Sequence, residues 1–318
     1  MENQKVVVLN AGKMDFDGKL DFSVLSPDVT VYSDSAQEEI LDRIRGACVV
    51  VTKELPVSAE MIRQFPDSVK LICEAGTGFN NIALDAAAER GIKVCNVPAY
   101  SSHRVAHTAV MLMLNLASTM QTQIKMLPLG DRSNFTEHLK VPHVELNGKT
   151  LGVVGVGNIG SQVIRIAQAM DMRVLCHARR PRQDEENLKF VSLEELLRES
   201  DFVTLHCPLT PQTRHMINEE TLAMMKPTAF LINAARGALI DEPALIRALQ
   251  NGQIAGAGLD VQEIEPPEAD NPLYTMDNVI ITPHMGWKGM ETRQRLVGVV
   301  ADNIRGFFEG NPINIVSD

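Results

Sequence analysis

A chain of 318 residues has room for two domains, and 45% hydrophobic with 22% charged residues is the balance of a soluble globular fold. The formal charge of −10 argues against a nucleic-acid surface, so no nucleic-acid partner is expected. The cysteines Cys48, Cys73, Cys95, Cys176 and Cys207 form no CxxC pair and lie mostly in apolar runs, which reads as buried, reduced thiols of a cytoplasmic protein.

The opening "KVVVLNAG" reads as a strand and turn rather than a targeting leader. Short β-branched runs then alternate with helical patterns, the signature of parallel strands joined by crossover helices. Strands are expected at 6–9, 29–32, 48–51, 70–73 and 93–96. A long apolar helix over about 102–126 and a polar arm over about 128–147 follow. The apolar run "VAHTAVMLMLNLAS" is too short to span a bilayer, so no membrane partner is expected. A second set of strands is expected at 151–155, 173–177, 202–206, 229–233, 256–260 and 279–282, the strand count of a doubly wound dinucleotide-binding sheet. The last segment, "ETRQRLVGVVADNIRGFFEG", is amphipathic and comes after that sheet is complete, so it is expected to pack back on the first domain. The expected architecture is therefore α/β with two domains. A Rossmann-type doubly wound parallel sheet (100–287) is inserted into a smaller, discontinuous, flavodoxin-like substrate domain (1–99 and 288–318).

"GVGNIG" directly follows the strand "TLGVV" and opens a helix whose Ile159, Val163, Ile166, Ala167 and Met170 recur on one face. In such a turn Gly155 permits the tight bend, Gly157 lets the backbone approach a pyrophosphate, and Gly160 lets helix and strand pack closely. The helix start at Asn158 and Ile159 offers free N–H groups to phosphate. A carboxylate that binds ribose hydroxyls belongs about 20 residues later. Ala178 stands near that place, 18 residues past Gly160, followed by Arg179, Arg180 and Arg182. Removing the carboxylate and adding planar guanidinium forks favours a 2′-phosphate. A solvated basic loop is the plainer reading of the same arginines. NADP(H) is the expected cofactor, with Arg179 and Arg180 on the phosphate and NAD(H) as the alternative.

Three polar residues fall in loops beyond late strands: Arg236 in "INAARGALID", Glu265 in "AGLDVQEIEPPE" and His284 in "VIITPHMGWKG". Open α/β sheets bind ligands at the carboxyl ends of their strands. An arginine to hold a carboxylate, a histidine to move a proton and a carboxylate to favour the charged imidazole suit reduction of a 2-oxo acid.

The motifs "EAGTGFNNIALDAAAERGIKVCNVPAYSSHRVA", "GKTLGVVGVGNIG", "LHCPLTPQTRHMI", "LINAARGALID", "AGLDVQEIEP" and "ITPHMGW" occur in that order along nearly the whole chain. In this pattern the sequence resembles the D-isomer-specific 2-hydroxyacid dehydrogenase family, closest to its hydroxypyruvate/glyoxylate reductase and glycerate dehydrogenase-like members. The resemblance implies that Arg236 binds the substrate carboxylate and carbonyl, that His284 is the general acid/base and that Glu265 is its partner. It implies backbone N–H groups of Gly76, Thr77 and Gly78 on the substrate. Asp260, the Ala234 backbone, Pro208, Gly286 and His284 would then contact the cofactor. It also implies a homodimer to which the long helix and the 128–147 arm contribute.

Trp287, the only tryptophan, follows "HMG" and reads either as a substrate-pocket roof or as a packing residue. Lys53 reads either as an aid to anionic substrates or as a surface lysine. His103 and His107 have a metal-like i, i+4 spacing but no evident third ligand, and no metal is expected. The family usually carries an acidic or amide residue where His107 stands. The expected activity is an NADPH-preferring reduction of small 2-oxo acids, hydroxypyruvate or glyoxylate first. A D-lactate-type or broad-specificity 2-oxoacid reductase is the alternative within the class, and a dinucleotide-sensing, corepressor-like binding protein is the alternative outside it.

Overall fold

The structure is a computed structural model that describes residues 4–180, 183–185 and 187–317. Arg182 and Pro181 of the basic stretch lie outside the described residues. Two compact units form, one from the residues through Ser101 together with those from Trp287 onward, the other from Ser102–Gly286. The divide therefore runs after Ser101 and before Trp287, where the sequence suggested 99/100 and 287/288.

The first unit is built on a parallel sheet of β1 (Val6–Val8), β2 (Val29–Val31), β3 (Val49–Thr52), β4 (Leu71–Glu74) and β5 (Lys93–Cys95), in the order β2-β1-β3-β4-β5. This is the flavodoxin-like order. Strand alternation sends Val6, Val8, Val49 and Val51 to one face and Val7, Val50, Ile72 and Val94 to the other. On the first face the Met290–Phe308 helix buries Leu296, Val297, Val300 and Ile304. The opposite face packs Ile40, Ile44, Ile62 and Ala87 from the short helices between strands.

The second unit carries a seven-stranded parallel sheet, one strand more than expected. Its strands are β6 (Thr150–Val154), β7 (Arg173–His177), β8 (Leu188–Phe190), β9 (Phe202–Leu205), β10 (Phe230–Asn233), β11 (Gly256–Leu259) and β12 (Val279–Ile281). The order β8-β7-β6-β9-β10-β11-β12 is the doubly wound arrangement with one added strand, and its topological switch lies between β6 and β9. The unexpected β8 is only three residues long and has Lys189 at its centre. The single long helix is also revised: it runs Ser102–Ala117, stops where Thr119 takes the left-handed conformation (φ 46°), and resumes as Met120–Met126. The Asn158–Ala169 helix buries Gly160, Val163, Ile164 and Ala167, and Ile159, Ile166 and Met170 pack half-buried against the same core, so Ile164 joins the expected stripe.

Candidate active site

Because every strand of the second sheet is parallel, the segments after β6, β9, β10, β11 and β12 emerge along one edge. Those segments carry Gly155, Pro208, Arg236, Glu265 and His284 in turn. Parallel pairing alone thus collects residues spread over more than a hundred positions of sequence.

The glycine turn separates into two different requirements. Gly155 has φ +99°, and a Cβ there would approach the Cys207 nitrogen to 2.6 Å. A Cβ on Gly160 would approach the Gly155 carbonyl oxygen to 2.1 Å, so the helix could not lie this close to the strand. Gly157 differs, because a Cβ there would meet no protein atom within 4 Å. The protein's own packing does not call for a glycine at 157, whereas backbone approach by a pyrophosphate does. Gly157 caps the Asn158–Ala169 helix without a side-chain hydrogen bond, which leaves the first N–H groups to a ligand. These residues fit a dinucleotide. Ala178 directly follows β7, and Arg179 and Arg180 are exposed on the turn beyond it.

Arg236 leaves β10 through a loop shaped by Asn233, a fully buried amide absent from the expected site. The Asn233 amide nitrogen donates to the Arg236 carbonyl at 2.9 Å, and its oxygen accepts from the Ala235 N–H at 3.0 Å. The guanidinium is exposed and, among the described residues, donates only to the neighbouring Ala235 carbonyl, at 2.8 Å.

Glu265 and His284 meet directly: the Glu265 carboxylate accepts from His284 Nδ1 at 2.8 Å and from the Gln262 N–H at 2.9 Å. Burial pushes the Glu265 carboxyl up, but the hydrogen bonds from His284 and Gln262 and the charges of His284 and Arg236 outweigh it. The net position is below the ordinary glutamate range. An ionised carboxylate only accepts, so Nδ1 carries the proton and Nε2 is the atom left for proton transfer. His284 itself holds a left-handed backbone (φ 48°), an unusual conformation for a side-chain-bearing residue.

Asp260 explains how that conformation is held. Its carboxylate is buried and accepts from Thr282 Oγ1 at 2.6 Å, the Met285 N–H at 2.9 Å and the Gly286 N–H at 2.8 Å. Three of its roughly four acceptor positions are thus spent on the turn that carries His284. A Cβ on Gly286 would approach Asp260 Oδ2 to 2.8 Å, which makes glycine part of the same anchor. Sequence alone assigns Asp260 and Gly286 to the cofactor, and their anchoring role is visible only once the turn is folded.

His206, after β9, is half-buried, with Nε2 2.9 Å from Thr204 Oγ1 and Nδ1 buried without a partner among the described residues. Burial lowers its pKa to about 4. Burial also pushes the Cys207 thiol up to about 11, so it is no thiolate nucleophile. His103 and His107 are exposed, and no group of three metal-ligating side chains occurs among the described residues. No helix of the described residues is long and apolar enough to cross a membrane.

In the first unit, the Gly76-Thr77-Gly78 loop follows β4. The Val97 N–H donates to the Gly76 carbonyl at 2.8 Å and Asn96 donates to the Thr77 carbonyl at 2.8 Å. The loop's three N–H groups have no acceptor among the described residues. Lys53 is buried rather than superficial: its ammonium lies over the Trp287 ring at 4.6 Å and pairs with Glu54 at 2.6 Å. A Cβ on Gly76 would come within 3.2 Å of the Lys53 Nζ, so the cation borders the loop directly.

Comparison with known proteins agrees with this geometry. The family model for D-isomer specific 2-hydroxyacid dehydrogenase, NAD binding domain, matches residues 110–286. The chain is 37% identical over 284 residues to a hydroxypyruvate reductase of Blautia hydrogenotrophica, covering 88% of each. It is 40% identical over 289 residues to a D-3-phosphoglycerate dehydrogenase of Methanocaldococcus jannaschii, covering 89% of this chain and 54% of that protein. Among solved structures, a glyoxylate reductase from Paecilomyes thermophila superposes with a TM-score of 0.83 at 32% identity, over 99% of each chain. These comparisons and the strand-end constellation lead to one assignment: the chain belongs to the D-isomer-specific 2-hydroxyacid dehydrogenase family, whose members are nicotinamide-dependent oxidoreductases.

Proposed function

We propose that this protein reduces small 2-oxo acids to D-2-hydroxy acids, with NADPH preferred and hydroxypyruvate and glyoxylate as leading substrates. The observation that carries the reading is the Glu265–His284 pair, with Nε2 left for chemistry and the Arg236 charge felt at Glu265. When bound, the nicotinamide supplies a hydride to the carbonyl carbon. Arg236 holds the substrate carboxylate and carbonyl by its guanidinium fork. His284 gives the proton from Nε2 to the carbonyl oxygen, and Glu265 keeps the ring oriented. Gly76, Thr77 and Gly78 offer their unsatisfied N–H groups to the carboxylate, as such concave runs of backbone donors do for anions. The buried Lys53 cation beside that loop supports a polar, anionic substrate.

For the cofactor, Gly155, Gly157, Asn158, Ile159 and Gly160 hold the pyrophosphate, and Pro208, Ala234 and Asp260 line the nicotinamide end. Arg179 and Arg180 take the 2′-phosphate in the absence of a carboxylate at Ala178. A homodimer is supported by the apolar side chains exposed along one stretch, among them Leu114, Ile124, Leu127, Leu129 and Phe135. The test is oxidation of NADPH and of NADH, followed at 340 nm, with a panel of 2-oxo acids. Higher kcat/KM with NADPH on hydroxypyruvate or glyoxylate is expected. Equal or greater values with NADH overturn the cofactor assignment, and no turnover with any acid overturns the enzyme reading.

A further inference from the structure

The segment Gln262–Glu265 carries two histidine–carboxylate pairs, and only one has a role above. In the second, Glu263 Oε1 is 2.7 Å from His215 Nε2 and accepts from Arg214 at 2.9 Å. This Glu263 side chain is only 20% exposed, against 55% for Arg214. Its own N–H donates to Glu242 at 3.3 Å, so Arg214, His215 and Glu242 are the charged or titratable groups facing it.

His215 is also tied at its backbone. Its N–H donates to the Ala238 carbonyl at 2.9 Å, within the Gly237–Leu239 turn that directly follows Arg236. That turn touches the Glu265 segment itself, because a Cβ on Gly237 would fall 1.9 Å from the Gln262 carbonyl oxygen. One residue therefore grips the Arg236 turn by its main chain and the Glu265 segment by its ring. His215 does so in a left-handed conformation (φ 50°), which surrounding contacts must hold in place. An isolated exposed ion pair would contribute little. A pair that bridges the two loops carrying Arg236 and Glu265 acts on their mutual geometry instead.

We infer that His215, through Glu263, is a positioning residue that clamps the Arg236 turn to the Glu265 segment. The inference rests on the proposed roles of Arg236, Glu265 and His284, and its test also has an arm independent of turnover. His215→Phe keeps a ring and removes the hydrogen bond, whereas His215→Gln can still reach Glu263. Misplacement of catalytic groups by about 1 Å costs on the order of a hundredfold. For His215→Phe we expect kcat/KM to fall about ten- to a hundredfold, shared between kcat and the KM of the oxo acid, with the cofactor KM unchanged. His215→Gln should recover most of the loss, and Glu263→Gln should weaken the clamp in the same direction. Amide hydrogen exchange should quicken in both 236–240 and 261–265 in His215→Phe. Unchanged exchange in either segment, or a His215→Gln variant as impaired as His215→Phe, overturns the clamp. If the wild-type protein turns over none of the acids, the functional reading fails, and the exchange measurement still decides the clamp.

Discussion

The two histidine–carboxylate pairs of the second unit differ in what surrounds them. His284 and Glu265 occupy a strand-end edge where Nε2 has no hydrogen-bond partner among the described residues, and Asp260 fixes the turn that carries His284. His215 and Glu263 are flanked by Arg214 and Glu242 and are committed to their neighbours at both backbone and side chain. The same two residue types are thus proposed to serve chemistry in the pair that feels the Arg236 charge, and architecture in the pair that Arg214 and the Ala238 carbonyl tie to its neighbours.

The contrast breaks most sharply at His284. His284→Ala should lower kcat by about 10²–10⁴, the range of a lost general acid, with the thermal unfolding midpoint little changed. Near-wild-type turnover in that variant would remove His284 as proton donor. A smaller effect is expected at its partner. The net lowering of the Glu265 carboxyl keeps it charged as pH falls past the ordinary glutamate value. The acid limb of kcat/KM should therefore lie below that value in the wild type and vanish in Glu265→Gln, which should lose about tenfold in kcat. Persistence of the limb in the variant would assign it to another group.

His206 supplies the third case, a histidine with no carboxylate partner among the described residues. Its pKa is lowered from 6.5 to about 4 by burial, so the folded state holds the neutral ring while the unfolded chain takes up a proton. Stability should be intact above about pH 6.5 and decline as pH falls toward 4, by about 3 kcal/mol in all. Denaturant unfolding between those limits, compared with His206→Gln, measures it. An unchanged slope in the variant would place the acid sensitivity elsewhere.

Much of this was legible in the chain because it depends on local pattern. The β-branched runs marked eleven of the twelve strands in order, and the glycine spacing located the turn after β6. β8 escaped because three residues around a lysine carry no period to read. The helix break at Thr119 escaped because the apolar pattern runs on through it. Arg236, Glu265 and His284 were recognisable by their places after strands. His215 was not, since its partner lies 48 residues away and the bond depends on the left-handed turn. Asp260 was read as a ligand contact because its engagement with Thr282, Met285 and Gly286 exists only after β11 and β12 align.

The three glycines of the turn after β6 also set different constraints on drift. At Gly155 and Gly160 any side chain collides with the chain's own backbone, so selection for folding alone suffices to keep them. At Gly157 folding exerts no such pressure, and only the need to admit a ligand guards the position. A lineage that abandoned dinucleotide binding while keeping the fold would therefore be expected to erode at 157 first, leaving its neighbours as the trace of what the turn once held.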